Sequence, residues 1–140
     1  MTSGIAANAA SARRQSVEQL GLRPGDRVLI VGAGTGLDLD YVPRGVEITA
    51  IDVTPAMLSR LTRRAIEMQR SASATVMDAR HLQFPDESFD AVIMHLIVAV
   101  MPEPELGLRD AARVVKPSGQ IAIFDSSSAL ESSHRFRDDS

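Results

Sequence analysis

Several residue types are scarce in this 140-residue chain, and cysteine and tryptophan are absent. The absence of cysteine excludes disulfides, zinc–thiolate sites and thiol nucleophiles. It also points to a reducing compartment, so we expect a cytoplasmic protein, and we predict no metal site. Only 4% of the residues are aromatic although 44% are hydrophobic, so the core must be mainly aliphatic.

Charge of one sign and long hydrophobic runs are also missing. The formal net charge is −3 and the basic residues are scattered, which gives no electrostatic footprint for nucleic acid. The longest apolar run, residues 96–101, is too short to cross a bilayer, and the first fifteen residues lack the apolar core of a signal peptide. We therefore expect no transmembrane segment and no nucleic-acid partner, while contact with a membrane-borne substrate stays open.

Short apolar runs alternate with helical patterns along the chain, which is typical of βαβ units and a parallel sheet. The pattern predicts strands over 27–31, 45–52, 74–78, 89–95 and 120–125, and helices over 5–20, 35–42 and 103–115, with a further helix from Pro55. Right-handed crossovers then give a Rossmann-like, doubly wound α/β sheet with strand order 3-2-1-4-5. Ligands bind such sheets at the switch point between the first and fourth strands.

The length fits one domain over residues 1–125, followed by a tail over 126–140. The tail is polar and shows no core face, so we interpret it as mobile. The sheet is then expected to end at an open apolar edge on the fifth strand. An open edge is an association hazard, so we predict pairing at that edge, in a homodimer or with a partner chain.

A glycine-rich loop follows the first predicted strand in the segment VLIVGAGTG. Gly32, Gly34 and Gly36 allow a sharp turn and a close approach to a ligand at a helix N-terminus. Asp52 ends the second strand, where a carboxylate can accept hydrogen bonds from ribose hydroxyls. Asp78 ends the third strand and can face an adenine amino group. An ordinary strand-to-helix turn and a helix cap at Asp52 remain open alternatives.

The spacing of the glycines argues against a dinucleotide, because Leu37 stands where that pattern requires a small residue. From Gly21 to about Asp125 the chain resembles class I S-adenosylmethionine-dependent methyltransferases, of the branch acting on small molecules, quinones and phospholipid amines. The resemblance lies in the segments VLIVGAGTG, ITAIDVTPAML, VMDARHLQFPDESFDAVIMH and RVVKPSGQIAIFD.

This resemblance implies S-adenosylmethionine as cofactor and methyl transfer to a small-molecule or lipid-like acceptor. The implied cofactor-binding residues are Gly32, Ala33, Gly34, Thr35, Gly36, Asp52, Val53, Met57, Asp78, Ala79 and His95. The glycine loop is expected around the methionine part, Asp52 at the ribose, Val53 and Met57 beside the adenine, and Asp78 with Ala79 at its edge. His95 ends the fourth strand, where the family places a residue beside the reactive methyl group. It is a candidate catalytic or substrate-contacting residue, or else a cofactor-lining or capped structural histidine.

The chain departs from the family pattern in several places. Ile30 stands where the family carries an acidic residue, and the usual N-terminal lid and C-terminal antiparallel strands are expected to be missing. These departures favour a second hypothesis, a non-catalytic cofactor-binding module that acts through partner association. A nicotinamide-dependent oxidoreductase is a third.

Overall fold

The computed structural model describes residues 4–96, 102–125 and 133–137, with side chains over 11–94 and 102–123. Within these residues, three helices flank a six-stranded sheet. The helices are α1 (Gly4–Glu18), α2 (Pro55–Glu67) and α3 (Pro104–Val114), and a 3₁₀ helix spans Leu37–Asp40. The strands are β1 (Arg27–Val31), β2 (Glu47–Asp52), β3 (Ala72–Val76), β4 (Phe89–Leu96), β5 (Val115–Asp125) and β6 (Ser133–Arg137). Their spatial order is β3-β2-β1-β4-β5-β6. The predicted parallel order 3-2-1-4-5 is confirmed.

Strand β1 lies at the centre and is buried on both faces, as its aliphatic sequence predicts. It pairs in parallel with β2 and β4. Val28 and Ile30 pack into the cluster under α1 and α2, whereas Leu29 and Val31 pack into the cluster on the α3 face. This alternation is the period-2 geometry of a strand. Side chains of this one strand therefore pack in the core layers on both faces of the sheet.

The glycine loop is followed by a single 3₁₀ turn over Leu37–Asp40, shorter than the helix predicted over 35–42. Four successive residues there are Leu, Asp, Leu and Asp, and aspartate is a poor helix former. Leu39 is fully buried, and the buried Asp38 forms an ion pair with the partly exposed Arg13 of α1 at 3.0 Å. Tertiary contacts therefore anchor this turn.

The C-terminal part of the sheet corrects two expectations. Strand β6 lies within the segment interpreted as a mobile tail, and it pairs antiparallel with β5, from Gln120↔Arg137 to Phe124↔Ser133. The edge of β5 is therefore covered, and the prediction that it is open was wrong. One antiparallel strand is present where none was expected, while the boundary between a domain and a tail stays a prediction.

Strand β5 begins at Val115, earlier than predicted, because Val115 already pairs with Phe89 before a bulge interrupts the strand. The register against β4 changes from Phe89↔Val115 to Ala91↔Gln120, so the predicted Pro-Ser-Gly turn bulges out of the ladder. A Cβ atom on Gly119 would lie 2.5 Å from the Asp90 carbonyl oxygen. Only glycine fits this close backbone approach.

No helix among the described residues is long and apolar enough to cross a membrane.

Candidate functional site: a cavity at the carboxyl ends of β1, β2 and β3

Two backbone hydrogen bonds connect the glycine loop to strand β2. The amides of Gly32 and Ala33 both donate to the Ile51 carbonyl oxygen at 3.0 Å. Gly32 and Gly34 have φ values of 72° and 57°, in the left-handed region that favours glycine. The loop therefore turns sharply at the carboxyl end of β1 and exposes its backbone to the space beside β2.

Asp52, the last residue of β2, holds this loop in place. Its Oδ2 accepts a hydrogen bond from the Gly34 amide at 2.8 Å, and its Oδ1 accepts one from the Thr54 amide at 3.0 Å. Thr54 is the N-cap of α2 but makes no side-chain capping bond itself. The Asp52 carboxylate thus supports the start of α2, as the structural alternative predicts, and it also orders the loop at the rim.

A cavity of about 390 Å³ opens at this rim, a size typical of small-molecule sites. Its lining is mainly apolar with a few polar groups, the composition expected of such sites. The lining residues are Val31, Gly32, Gly34, Ile51, Asp52, Val53, Thr54, Met57, Met77, Asp78, Ala79, Arg80 and Pro102. The predicted convergence of Gly34, Asp52 and Asp78 on one site is therefore observed.

Not every predicted site residue lines the cavity. Gly32, Gly34, Asp52, Val53, Met57, Asp78 and Ala79 line it, whereas Ala33, Thr35 and Gly36 are not among the lining residues. A Cβ atom on Gly36 would lie 3.0 Å from Leu39 Cδ1 and 3.2 Å from Leu61 Cγ. Gly36 therefore serves the packing of the 3₁₀ turn against α2. The side chain of His95 lies outside the described residues, although its backbone pairs with Phe124 in the sheet.

Asp78 lies in the loop beyond β3, two residues after the strand ends at Val76. The strand is thus shifted by two residues from the predicted 74–78. The Asp78 carboxylate accepts hydrogen bonds from the side chain of Arg80, with Nη2 to Oδ2 at 2.8 Å, and from the Arg80 amide at 2.8 Å. These hydrogen bonds lower the pKa of Asp78 to about 2, so it is a carboxylate at neutral pH.

Arg80 is a cavity residue that the sequence interpretation missed. Its Nη1 donates to Glu103 Oε1 at 2.9 Å, so its guanidinium joins the loop after β3 to the N-cap residue of α3. The pKa of Arg80 is raised by hydrogen bonds to Asp78 and Glu103. Glu103 is 23 residues away in the chain, and no local pattern reveals such a pair.

The loop over residues 82–86, which follows the site, is held by Arg113 at the end of α3. Arg113 Nη2 donates to the Leu82 carbonyl oxygen at 2.8 Å, and Nη1 donates to the Phe84 carbonyl oxygen at 2.9 Å. Ion pairs with Asp86 and Asp110 complete the set. One guanidinium therefore satisfies two loop carbonyls and fixes the path of the chain between Asp78 and β4.

Asp90 lies in β4 at the opposite end of the sheet from the cavity, where it has a structural role. Its Oδ2 accepts from the Arg27 amide at 2.8 Å, and its Oδ1 pairs with Lys116 Nζ at 3.1 Å. Burial by itself raises the pKa of Asp90, but these hydrogen bonds outweigh it and lower the pKa below its usual value. Asp90 joins β1, β4 and β5 at the end remote from the cavity.

Ile30, the departure in β1, is 1% exposed and belongs to the core under α1 and α2. It is not a cavity residue; the neighbouring Val31 is. The apolar side chain at this position therefore packs within the hydrophobic core.

The fold and the site together define an α/β domain with a cavity at its switch-point rim, where a backbone loop and two carboxylates meet. A family model described as "Methyltransferase domain" matches residues 29–123. The chain belongs to this methyltransferase family, and the cofactor of the family is S-adenosylmethionine.

Two named relatives have different acceptors in their names. The chain is 41% identical over 117 residues to a phosphatidylethanolamine N-methyltransferase of Cereibacter sphaeroides, covering 82% of this chain and 57% of the relative. It is 37% identical over 114 residues to a demethylmenaquinone methyltransferase of Tropheryma whipplei, covering 81% and 47%. The chain thus spans about half the length of these relatives.

Solved structures show the same fold. The [4+2]-cyclase SpnF superposes with a TM-score of 0.74 at 30% identity, covering 81% of this chain and 43% of SpnF. A methyltransferase bound to the Trm112 methyltransferase activator, from Haloferax volcanii, superposes with a TM-score of 0.71 at 25% identity, covering 86% and 53%.

Proposed function

We propose that this chain carries the cofactor-binding part of a methyltransferase that transfers a methyl group from S-adenosylmethionine to a small-molecule or lipid-like acceptor. The observation that carries the proposal is the cavity in which Gly34, Asp52 and Asp78 meet. Family membership and the relatives named for a phospholipid and a quinone support the reaction and the acceptor class.

The residues present fit the cofactor. Gly34 leaves room beside Met57, since a Cβ atom there would approach only Met57 Sδ, at 3.8 Å. The Asp52 carboxylate holds two backbone amides and has about two further acceptor positions, enough for a pair of ribose hydroxyls. Val53 and Met57 are 66% and 42% exposed, and an adenine ring placed against them would cover this apolar surface.

When bound, S-adenosylmethionine supplies a methyl group on a positively charged sulfur. The residues of the chain then have to align this methyl group with the acceptor and exclude water. Among the described residues at this rim, the acids Asp52, Asp78 and Glu103 lie near the cation Arg80, which gives an excess of negative charge that suits a cationic ligand. We propose Gly32, Gly34, Asp52, Val53, Met57, Asp78 and Ala79 as its binding residues.

The remaining predicted residues are Ala33, Thr35, Gly36 and His95. Ala33, Thr35 and Gly36 belong to the glycine loop without lining the cavity, so we propose that they shape the loop. For His95 we propose contact with the cofactor or the acceptor, because its backbone position in β4 lies next to the switch point. His95→Ala and His95→Gln, assayed for KM and kcat separately, test this assignment.

Calorimetric titration of S-adenosylhomocysteine, the demethylated product, tests the proposal. We expect binding by the wild-type chain, and Asp52→Ala should weaken it at least about fivefold because hydrogen bonds to a charged group are lost. Asp90→Asn, remote from the cavity, is the matched control and should bind normally. No heat at millimolar ligand contradicts the proposal.

Turnover distinguishes the methyltransferase from the non-catalytic module. A labelled-methyl assay should include phosphatidylethanolamine and a demethylated quinone as acceptors. Transfer to either establishes the enzyme, whereas cofactor binding without transfer to any acceptor contradicts it. No comparison supports the non-catalytic alternative, since the similar proteins cited are enzymes by name or description.

We also propose a cytoplasmic location, supported by the cysteine-free composition. Cell fractionation tests it. Because β6 covers the β5 edge, that edge is not available for the predicted homodimer or partner contact.

A further inference from the structure

We propose that Arg80 is a positioning residue that orients the Asp78 carboxylate, leaving it one free acceptor position for the ligand in the cavity. The inference rests on the proposed function and adds a residue outside the predicted site. Its basis is the set of contacts that Arg80 makes at the cavity mouth.

Asp78 lies beyond the end of β3, and its side chain is 42% exposed. A carboxylate in such a loop position would rotate freely without a partner. Arg80 supplies three N–H groups: its amide donates to Oδ1 at 2.8 Å, Nη2 donates to Oδ2 at 2.8 Å, and the Nε hydrogen is shared between Oδ1 at 3.2 Å and Oδ2 at 3.3 Å. A carboxylate has about four acceptor positions, so about one remains for another donor.

Arg80 is itself held from the other side of the cavity mouth. Its Nη1 donates to Glu103 Oε1 at 2.9 Å, and both Arg80 and Pro102 line the cavity. Glu103 has a φ of 50°, a left-handed conformation uncommon for a non-glycine residue, at the N-cap of α3. The guanidinium thus bridges two loops, and its planar set of donors fixes both carboxylates in one arrangement.

A single remaining acceptor position selects for a ligand that presents one N–H donor there. The exocyclic amino group of adenine has this chemistry, whereas hypoxanthine carries a carbonyl oxygen at the same place and would face the carboxylate unfavourably. Arg80 is therefore expected to control discrimination between the two bases. When Arg80 is replaced, the loss of discrimination between the two bases, expressed as a free energy, should exceed the loss in the free energy of unfolding.

The test titrates S-adenosylhomocysteine and its hypoxanthine analogue into the wild-type chain, Arg80→Met, Arg80→Lys and Glu103→Gln. We expect Arg80→Met to weaken the binding of S-adenosylhomocysteine about threefold to tenfold and the binding of the analogue much less. Lysine keeps the charge without the fork of donors, so Arg80→Lys should restore only part of the discrimination. The exposed Arg109 of α3 provides the control, Arg109→Met, which should leave both affinities unchanged.

A double-mutant cycle between Arg80→Met and Glu103→Gln completes the test, because contacting residues give non-additive effects. The double variant should bind S-adenosylhomocysteine about as weakly as Arg80→Met alone. Equal weakening of both ligands, or an unchanged preference in Arg80→Met, overturns the inference while the proposed function stands. A wild-type chain that binds neither ligand overturns both.

Discussion

Replacing each of two neighbouring loop glycines by alanine should have opposite consequences for stability and binding. Gly34 and Gly36 both have positive φ values, 57° and 90°, so alanine is strained at either position by about 1–2 kcal/mol. At Gly34 the new methyl group would meet only Met57 Sδ at 3.8 Å, whereas at Gly36 it would press on Leu39 and Leu61 at 3.0–3.3 Å. Overpacking of this kind costs a further ~1–3 kcal/mol.

We therefore expect Gly34→Ala to lower the free energy of unfolding by about 1–2 kcal/mol and Gly36→Ala by about 2–5 kcal/mol. Urea unfolding followed by circular dichroism measures both, and the m-value should not change. Titration of S-adenosylhomocysteine should show the reverse order, because the Gly34 methyl group enters the cavity and the Gly36 methyl group enters the core. Equal losses of stability, or stronger loss of binding in Gly36→Ala, would refute this division of roles.

Three further outcomes are expected. The pKa of Asp90 is lowered in the folded chain, so its ion pair adds stability above the unfolded-state pKa, and this contribution is lost as the pH falls through the folded-state pKa. Asp90→Asn should therefore flatten the acid limb of a curve of unfolding free energy against pH. An unchanged curve would contradict this role of Asp90. Arg113→Met should lower the free energy of unfolding by about 1–3 kcal/mol by freeing two carbonyls and speed amide exchange over residues 82–86; unchanged exchange would show that Arg113 does not hold this loop. Deleting residues 133–140 should expose the edge of β5 and cause self-association in sedimentation experiments, whereas the full chain should be monomeric; a monomeric deletion variant contradicts the protective role of β6.

The central part of the fold was predictable because its signals are local. The aliphatic run of β1 and the glycines that follow identify a buried strand and a loop with unusual backbone angles, and β1 lies at the centre of the sheet. Asp52 was placed at the end of β2 for the same reason. Its second task, accepting the Gly34 amide, depends on two segments that meet only in the folded chain.

The edges of the sheet were harder to predict. Strand β3 has one neighbour, and its burial pattern over Ala72–Val76 contains no buried residue, so hydrophobic periodicity gives its ends poorly. Strand β6 has the sequence SHRFR, without a clear apolar alternation. It is defined by backbone pairing with β5. Arg80 was missed because its partner Glu103 comes from a distant segment.

The most direct test of the central claim is an amide NMR titration of the chain with S-adenosylhomocysteine. The account predicts that the largest chemical-shift changes fall on Gly32, Gly34, Val53 and Ala79 at the cavity rim, while Arg27 at the opposite end of β1 stays unchanged. A spectrum in which the rim amides do not move, or in which the ligand perturbs only residues remote from them, would contradict it.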